Sequence, residues 1–271
     1  MIRKNPLGFI SISICLLTVT TFSFIGCGSN SSSSAPVIPQ AQNGTGQLVL
    51  ASTGGSITFE AENGIKARLD IPANTLPEDT VISLTMSQSE NEIEIITTPE
   101  KLKLHNAAKL IIDYATQPES LKAFKLFDND GTENLRPLKQ CRTENQISGT
   151  IYMLGALNAI VPDDSLVLEI ADNTKNAETS TEWQELATTF NSLLWLCAYY
   201  RDIGDPDESS ECMKAAVSKC EKGTEAFLIL DTSDSKSYIN SLEKLKYLMG
   251  LCENPGNIQA RINDKYSGVS G

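Results

Sequence analysis

The hydrophobic period changes once along this chain, from two to between three and four, and that change limits what it can fold into. Between Gly46 and Pro162 short apolar runs alternate. Ile57, Phe59 and Ala61 fall on one side of a strand, and Ile82, Leu84 and Met86 on one side of another. Candidate strands are Gln47 to Ala51, Ser56 to Glu62, Ile65 to Ile71, Thr80 to Ser87 and Ile93 to Thr97. Lys109 to Tyr114, Phe124 to Phe127, Ile147 to Met153 and Ala156 to Val161 follow. Gly, Pro, Asn and Asp separate them roughly every ten residues, which predicts an antiparallel sandwich.

From Ser180 onward Trp183, Leu186, Ala187, Phe190, Leu193, Leu194 and Cys197 repeat at helical spacing. A second helix opens on Asp205 as cap, with Pro206 in its first turn and Glu208 three residues after the cap. Met213, Ala216, Val217 and Cys220 line one of its sides. A third begins near Asp234, carries Tyr238, Ile239, Leu242, Leu245, Leu248 and Met249, and stops at Asn254-Pro255-Gly256. Three helices with short connections predict an antiparallel bundle, with Trp183 and Trp195 in its core. The expected fold class is therefore α+β: an antiparallel β-sandwich over 46–163, then a disulfide-bonded three-helix bundle over 178–266.

The N-terminal segment has the three parts of an export signal. Arg3 and Lys4 are positive, and Leu7 to Ile25 carries no charge. Phe24-Ile25-Gly26-Cys27 then resembles the bacterial lipobox, with Phe24 where Leu is usual. That resemblance implies a signal peptide over 1–26, cleavage between Gly26 and Cys27, and a palmitate-type lipid on the Cys27 thiol. An uncut membrane-spanning helix is the competing reading, since the apolar stretch is about long enough to cross a bilayer. Gly-Cys at its end and the run Gly28-Ser29-Asn30-Ser31-Ser32-Ser33-Ser34 favour cleavage and a flexible tether over 27–45. Gly28 rather than Asp after the Cys matches the default routing to the outer membrane, so the expected location is the cell envelope.

Five cysteines remain once Cys15 leaves with the signal and Cys27 is acylated. Cys197, Cys212, Cys220 and Cys252 crowd the last third, where an oxidising compartment predicts disulfides, and the odd thiol is Cys141. A tight turn at Gly204 would mirror Cys197 onto Cys212, which favours that pair and leaves Cys220 with Cys252. Cys212 and Cys220 lie about 12 Å apart along one helix, too far to bridge each other. A four-Cys zinc site is disfavoured because no Cys-x-x-Cys knuckle occurs.

Within the strand region, Gly54-Gly55-Ser56-Ile57-Thr58 and then Asn63-Gly64-Ile65 through Ile71-Pro72-Ala73-Asn74-Thr75-Leu76 to Thr80 resemble the opening of ZU5-type domains. Asn74 stands where that family usually has Gly, and Asn is a residue that tolerates a left-handed backbone. Leu126 to Gly131 resembles a hairpin with Leu135-Arg136-Pro137-Leu138 as its return, and Ala156 to Val161 stands at the closing strand. Leu154-Gly155-Ala156 replaces the His-Phe-Ser at which some relatives cut themselves, so self-cleavage is not implied. The resemblance implies a binding or spacer module rather than an enzyme.

Catalytic signals are sparse. His105 is the only histidine, and no Gly-x-Ser-x-Gly, His-Glu-x-x-His or phosphate loop occurs. Asp163-Asp164 and Glu90/Glu92/Glu94 are the candidates for a paired-carboxylate hydrolase. Asp128 to Glu133 could suggest a calcium loop, but its sixth position is Glu133 and its twelfth Lys139, so a hairpin turn explains it better. A net charge of −12 argues against nucleic acid. The reading is a non-enzymatic, lipid-anchored envelope protein without cofactor or metal, held to membrane lipid through Cys27 and meeting an envelope protein or glycan partner. The alternative is an envelope hydrolase using paired carboxylates.

Overall fold

The computed structural model describes residues 46–89, 92–114, 124–129, 135–230, 235–252 and 256–269. These described residues all fall in one compact unit. It opens with eleven strands: β1 Gln47–Val49, β2 Gly55–Glu60, β3 Lys66–Ile71, β4 Thr80–Gln88, β5 Glu92–Thr98, β6 Lys103–Asp113, β7 Lys125–Asn129, β8 Leu135–Pro137, β9 Lys139–Arg142, β10 Gln146–Met153 and β11 Ala156–Ile160. Five helices follow: α1 Asp164–Asn176, α2 Trp183–Asp202, α3 Pro206–Leu228, α4 Ser235–Gly250 and α5 Gly256–Val269. The chain is α+β.

All pairings between strands are antiparallel. Six strands form one sheet in the order β1-β4-β5-β11-β7-β8, and five form the other in the order β2-β3-β6-β10-β9. Their inner faces share one aliphatic core. Val49, Ile82, Leu84, Ile93, Ile95 and Leu157 come from the first sheet, and Ile57, Leu69, Leu110, Ile112 and Ile147 from the second. Alternation explains this: each inward residue is flanked by one pointing away. Met86 and Phe59 sit at the margin of this core rather than in it.

Backbone geometry fixes the entry to the sandwich. Gly54 has φ +70°, and a Cβ placed there would lie 2.1 Å from the Ile71 carbonyl oxygen and 2.6 Å from the Pro72 carbonyl carbon. Only glycine lets the β1–β2 turn rest on that backbone. Asn74 adopts φ +58°, and its amide donates to the Ala51 carbonyl at 2.7 Å, tying the same corner.

The helical region is larger than expected. α1 fills what looked like a connection, with Asp163 capping it by accepting from the Leu166 amide at 2.8 Å. Val167, Ile170, Ala171 and Thr174 form its buried face. α5 begins at Gly256, so Asn254-Pro255-Gly256 separates two helices rather than closing the fold. The described residues thus form five helices where a three-helix bundle was expected. α3 starts as its sequence indicates: Asp205 accepts from the Glu208 amide at 3.1 Å, with Pro206 in the first turn. Its inward face is Cys212, Ala216, Cys220, Thr224 and Phe227, however, and Met213 points to solvent.

The disulfides are corrected by the structure. Cys197, Cys212, Cys220 and Cys252 are all free thiols. Gly204, at φ +84°, ends α2 in a Schellman turn: the Asp205 amide donates to the Tyr200 carbonyl and the Gly204 amide to that of Arg201. The hairpin register that follows sets Ser209, not Cys212, opposite Cys197. The Ser209 hydroxyl donates to the Cys197 carbonyl at 2.9 Å and lies 3.2 Å from its sulfur. Cys212 falls nearly one turn farther along and is buried. The Cys220 sulfur lies 3.6 Å from that of Met249, and the Cys252 thiol points to the Leu248 carbonyl at 3.8 Å. These cysteines act as small core hydrophobes. Cys141, on β9, is not the spare thiol of the count, for it is itself engaged.

Candidate functional site

The helices pack on the sandwich through a second core, and the seam between the two carries the densest polar chemistry among the described residues. In β7, Leu126 points into the sandwich while its neighbour Phe127 belongs to the helical core. Phe127 meets the ring of Trp195 edge-on at 6.1 Å, and Trp195 stacks on Tyr199 at 5.6 Å. Trp183 is buried, with Tyr152 of β10 against it edge-on at 5.6 Å. Both tryptophans therefore serve packing, and neither presents a bare platform.

Arg136 of β8 is the charged centre of the seam. One guanidinium nitrogen contacts the Asp128 carboxylate of β7 at 2.5 Å, and another contacts Glu185 of α2 at 2.5 Å. The Arg136 and Asp128 side chains are only 13% and 11% exposed, so water does little to screen the pair. Burial works against the Arg136 charge, but Asp128 and then Glu185 outweigh it and hold its pKa above the ordinary value. Around it, the Ser192 hydroxyl donates to the Pro137 carbonyl at 2.9 Å and the Gln184 amide to the Leu104 carbonyl at 3.2 Å. The Asn191 amide reaches the Tyr152 hydroxyl at 3.4 Å, and burial pushes that phenol's pKa up. Tyr152 stays protonated at neutral pH.

Chemically this cluster is a clamp. A paired-carboxylate hydrolase needs one protonated acid, one ionised partner and room for substrate between them. Here both carboxylates are bonded to one cation that fills the space between them. Residue pattern alone does not show this: Asp128 reads as part of a turn and Arg136 as part of a returning strand. The observed register, Asp128 opposite Arg136, is what brings them together.

The other candidates lie apart. Gly26 and Cys27 fall outside the described residues, as do Glu90 and the tip of the β7–β8 hairpin. Asp163 is a helix cap, and Asp164 accepts from the Tyr199 hydroxyl at 2.8 Å. That bond, and then burial, raises the Tyr199 pKa. Glu94 accepts from Ser87 at 3.2 Å, and Glu92 accepts from Asn158. His105 lies in β6, where its amide donates to the Thr75 carbonyl at 2.7 Å. No group of three or more His, Cys, Asp or Glu among the described residues is arranged to hold a metal ion.

Surface hollows among the described residues include the following two. One, about 530 Å³, is open and lies between the ends of α3 and α5, with Arg261, Asp264 and Lys265 on its rim. The other, about 310 Å³, lies beside the β2–β3 turn and holds Glu62 as its one acid. Each offers a single carboxylate. No protein-family model matches this chain, and no curated protein matches it. No helix among the described residues is long and apolar enough to cross a membrane.

Proposed function

We propose that this chain is a lipid-anchored protein of the bacterial cell envelope, held through an acylated Cys27, whose folded part acts as a non-enzymatic binding or spacer module. The observation that carries the reading is Phe24-Ile25-Gly26-Cys27 at the end of an uncharged apolar stretch, followed by a Ser-rich run into the first strand at Gln47. The Gly28 that follows Cys27 favours outer-membrane routing. A ZU5-like identity for the sandwich is supported by two positions. Gly54 lies under Ile71-Pro72-Ala73, and Asn74 takes the left-handed backbone that a glycine would otherwise supply. A binding or spacing role fits a seam whose charges are tied to one another.

The partner proposed beyond membrane lipid is an envelope protein or glycan. A chain at −12 is a poor ligand for nucleic acid. Mass spectrometry of the N-terminal peptide of the membrane-extracted protein tests the anchor. The expected product begins at Cys27 and carries acyl chains; an intact leader or a bare Cys27 would sink the proposal. Crosslinking in whole cells, followed by capture of the intact protein, separates binding from spacing. One stoichiometric adduct is expected of a binding module, and none of a spacer.

A further inference from the structure

The outward face of the six-stranded sheet is treated differently at its two ends. At one end Phe127 and Ile160 point away from the sandwich and pack into the helical core. At the other, Leu48 and Val81 point away in the same sense, since their neighbours Val49 and Ile82 are in the sandwich core. They are 57% and 60% exposed and stand directly opposite each other across the β1–β4 pair. Leu50, two residues on, is 41% exposed. Single exposed apolar side chains are common on any protein; three that adjoin at one sheet edge form a patch. The next row on the same face pairs Ser83 with Thr98, neither of them charged.

We infer that this patch of Leu48, Leu50 and Val81 rests on the lipid surface of the bilayer that holds Cys27; the inference depends on the anchor proposed above. The chain enters β1 beside the patch, with Gly46 close against Val81. About 20 residues separate Cys27 from Gln47, and a Ser-rich linker of that length has a root-mean-square span of roughly 25 Å. Anchoring therefore makes the second contact intramolecular, so a small apolar patch suffices where it would not for a free protein. The chain is acidic and the patch carries no cation, which fits neutral rather than anionic lipid. Strand addition by a second copy is disfavoured because β1, the edge, is only three residues long.

Hydroxyl-radical footprinting of the full protein, purified from membranes and reconstituted in phosphatidylcholine vesicles, tests the inference. The comparison is the same protein made without its leader and with Cys27→Ser, free in solution. Labelling at Leu48, Leu50 and Val81 is expected to fall severalfold in the vesicles, while Leu168 of α1 and Ile229 just past α3, comparably or more exposed, keep their solution values. Leu48→Asp with Val81→Asp is expected to restore labelling at Leu50. Unchanged labelling on an acylated Cys27 would overturn the orientation and leave the anchor standing. A native N-terminal peptide without acyl chains would overturn both. Protection that also grows with concentration in the soluble form would assign the face to self-association instead.

Discussion

The two cores of this molecule are built from different materials. The sandwich core is aliphatic almost throughout, with Tyr114 and Phe124 its buried aromatics. The helical core holds Phe127, Trp183, Phe190, Tyr200, Phe227 and Tyr238, together with Cys212, Cys220 and Cys252. The sandwich closes on itself, sheet against sheet. The helices do not: one member of their core, Phe127, is supplied by a strand, and Leu135, Tyr152 and Ile160 pack at its margin. The helical region is thus a layer laid on a sheet, and its stability depends on the seam.

Breaking the seam should have the largest effect. Arg136→Ala leaves Asp128 and Glu185 facing each other in a nearly dry site, at an expected cost of about 4 kcal/mol. Urea unfolding followed by tryptophan fluorescence reads this directly, because Trp183 and Trp195 both lie in the helical core or against it. If the layer depends on the seam, the fluorescence midpoint falls at least as far as the far-ultraviolet signal. Arg136→Met, which fills the space without the charge, should cost nearly as much, since it strands the same two carboxylates. A loss under 1 kcal/mol would show that the two regions are independent.

The sandwich has its own weak point at the first turn. Gly54→Ala demands a left-handed alanine and places its Cβ against the Ile71 carbonyl, so a loss of about 3 kcal/mol is expected. Because that turn rests on the Ile71–Ala73 backbone, the damage should appear first in protection of β1 and β2 amides from hydrogen exchange. Asn74→Gly, at the same corner, should change stability by less than about 0.5 kcal/mol, since glycine accepts φ +58° freely. In the helical layer, Asp205→Ala removes the α3 cap and should cost about 1 kcal/mol, read from the same urea curves.

The same contrast explains what could be read from residues alone. Period-two alternation is strong where one face is buried and the other wet, so the strands from Ile57, Ile82, Ile93, Leu110 and Ile147 were legible. β9 was not legible, because Lys139–Arg142 is too short to show a period, whereas β8, Leu135–Pro137, was legible as the return of the β7 hairpin. α1 was missed because its buried face is made by Val167, Ile170, Ala171 and Thr174, a thin stripe among acids. Among the described side chains of α5 only Ile258 and Ile262 are buried hydrophobes. The disulfide pairing failed at a finer level. It assumed that a turn at Gly204 mirrors residues about its own position, whereas the Schellman turn shifts the register so that Ser209 meets Cys197. The charged seam lay deeper still, because Asp128, Arg136 and Glu185 meet only once strand register and helix docking are both set.

An effect confined to alkaline pH concerns the cysteines that the helical core buries as hydrophobes. Burial pushes the Cys212 thiol from an ordinary value near 9 up to about 11, with the Lys175 charge working in the opposite direction. A thiol whose folded pKa is raised holds its proton longer in the fold than in the unfolded chain. Its contribution to stability is therefore complete below about pH 9 and is lost as pH rises toward 11. Wild type should lose stability between pH 8 and pH 10 faster than Cys212→Ala, by about 1 kcal/mol. The comparison must be made between the two proteins, since Tyr152, Tyr199 and Tyr200 also have raised pKa values and titrate in the same direction in both. Parallel alkaline slopes would mean that Cys212 is not held in a dry site. The helical layer would then be looser around α3 than the sandwich is around Leu110.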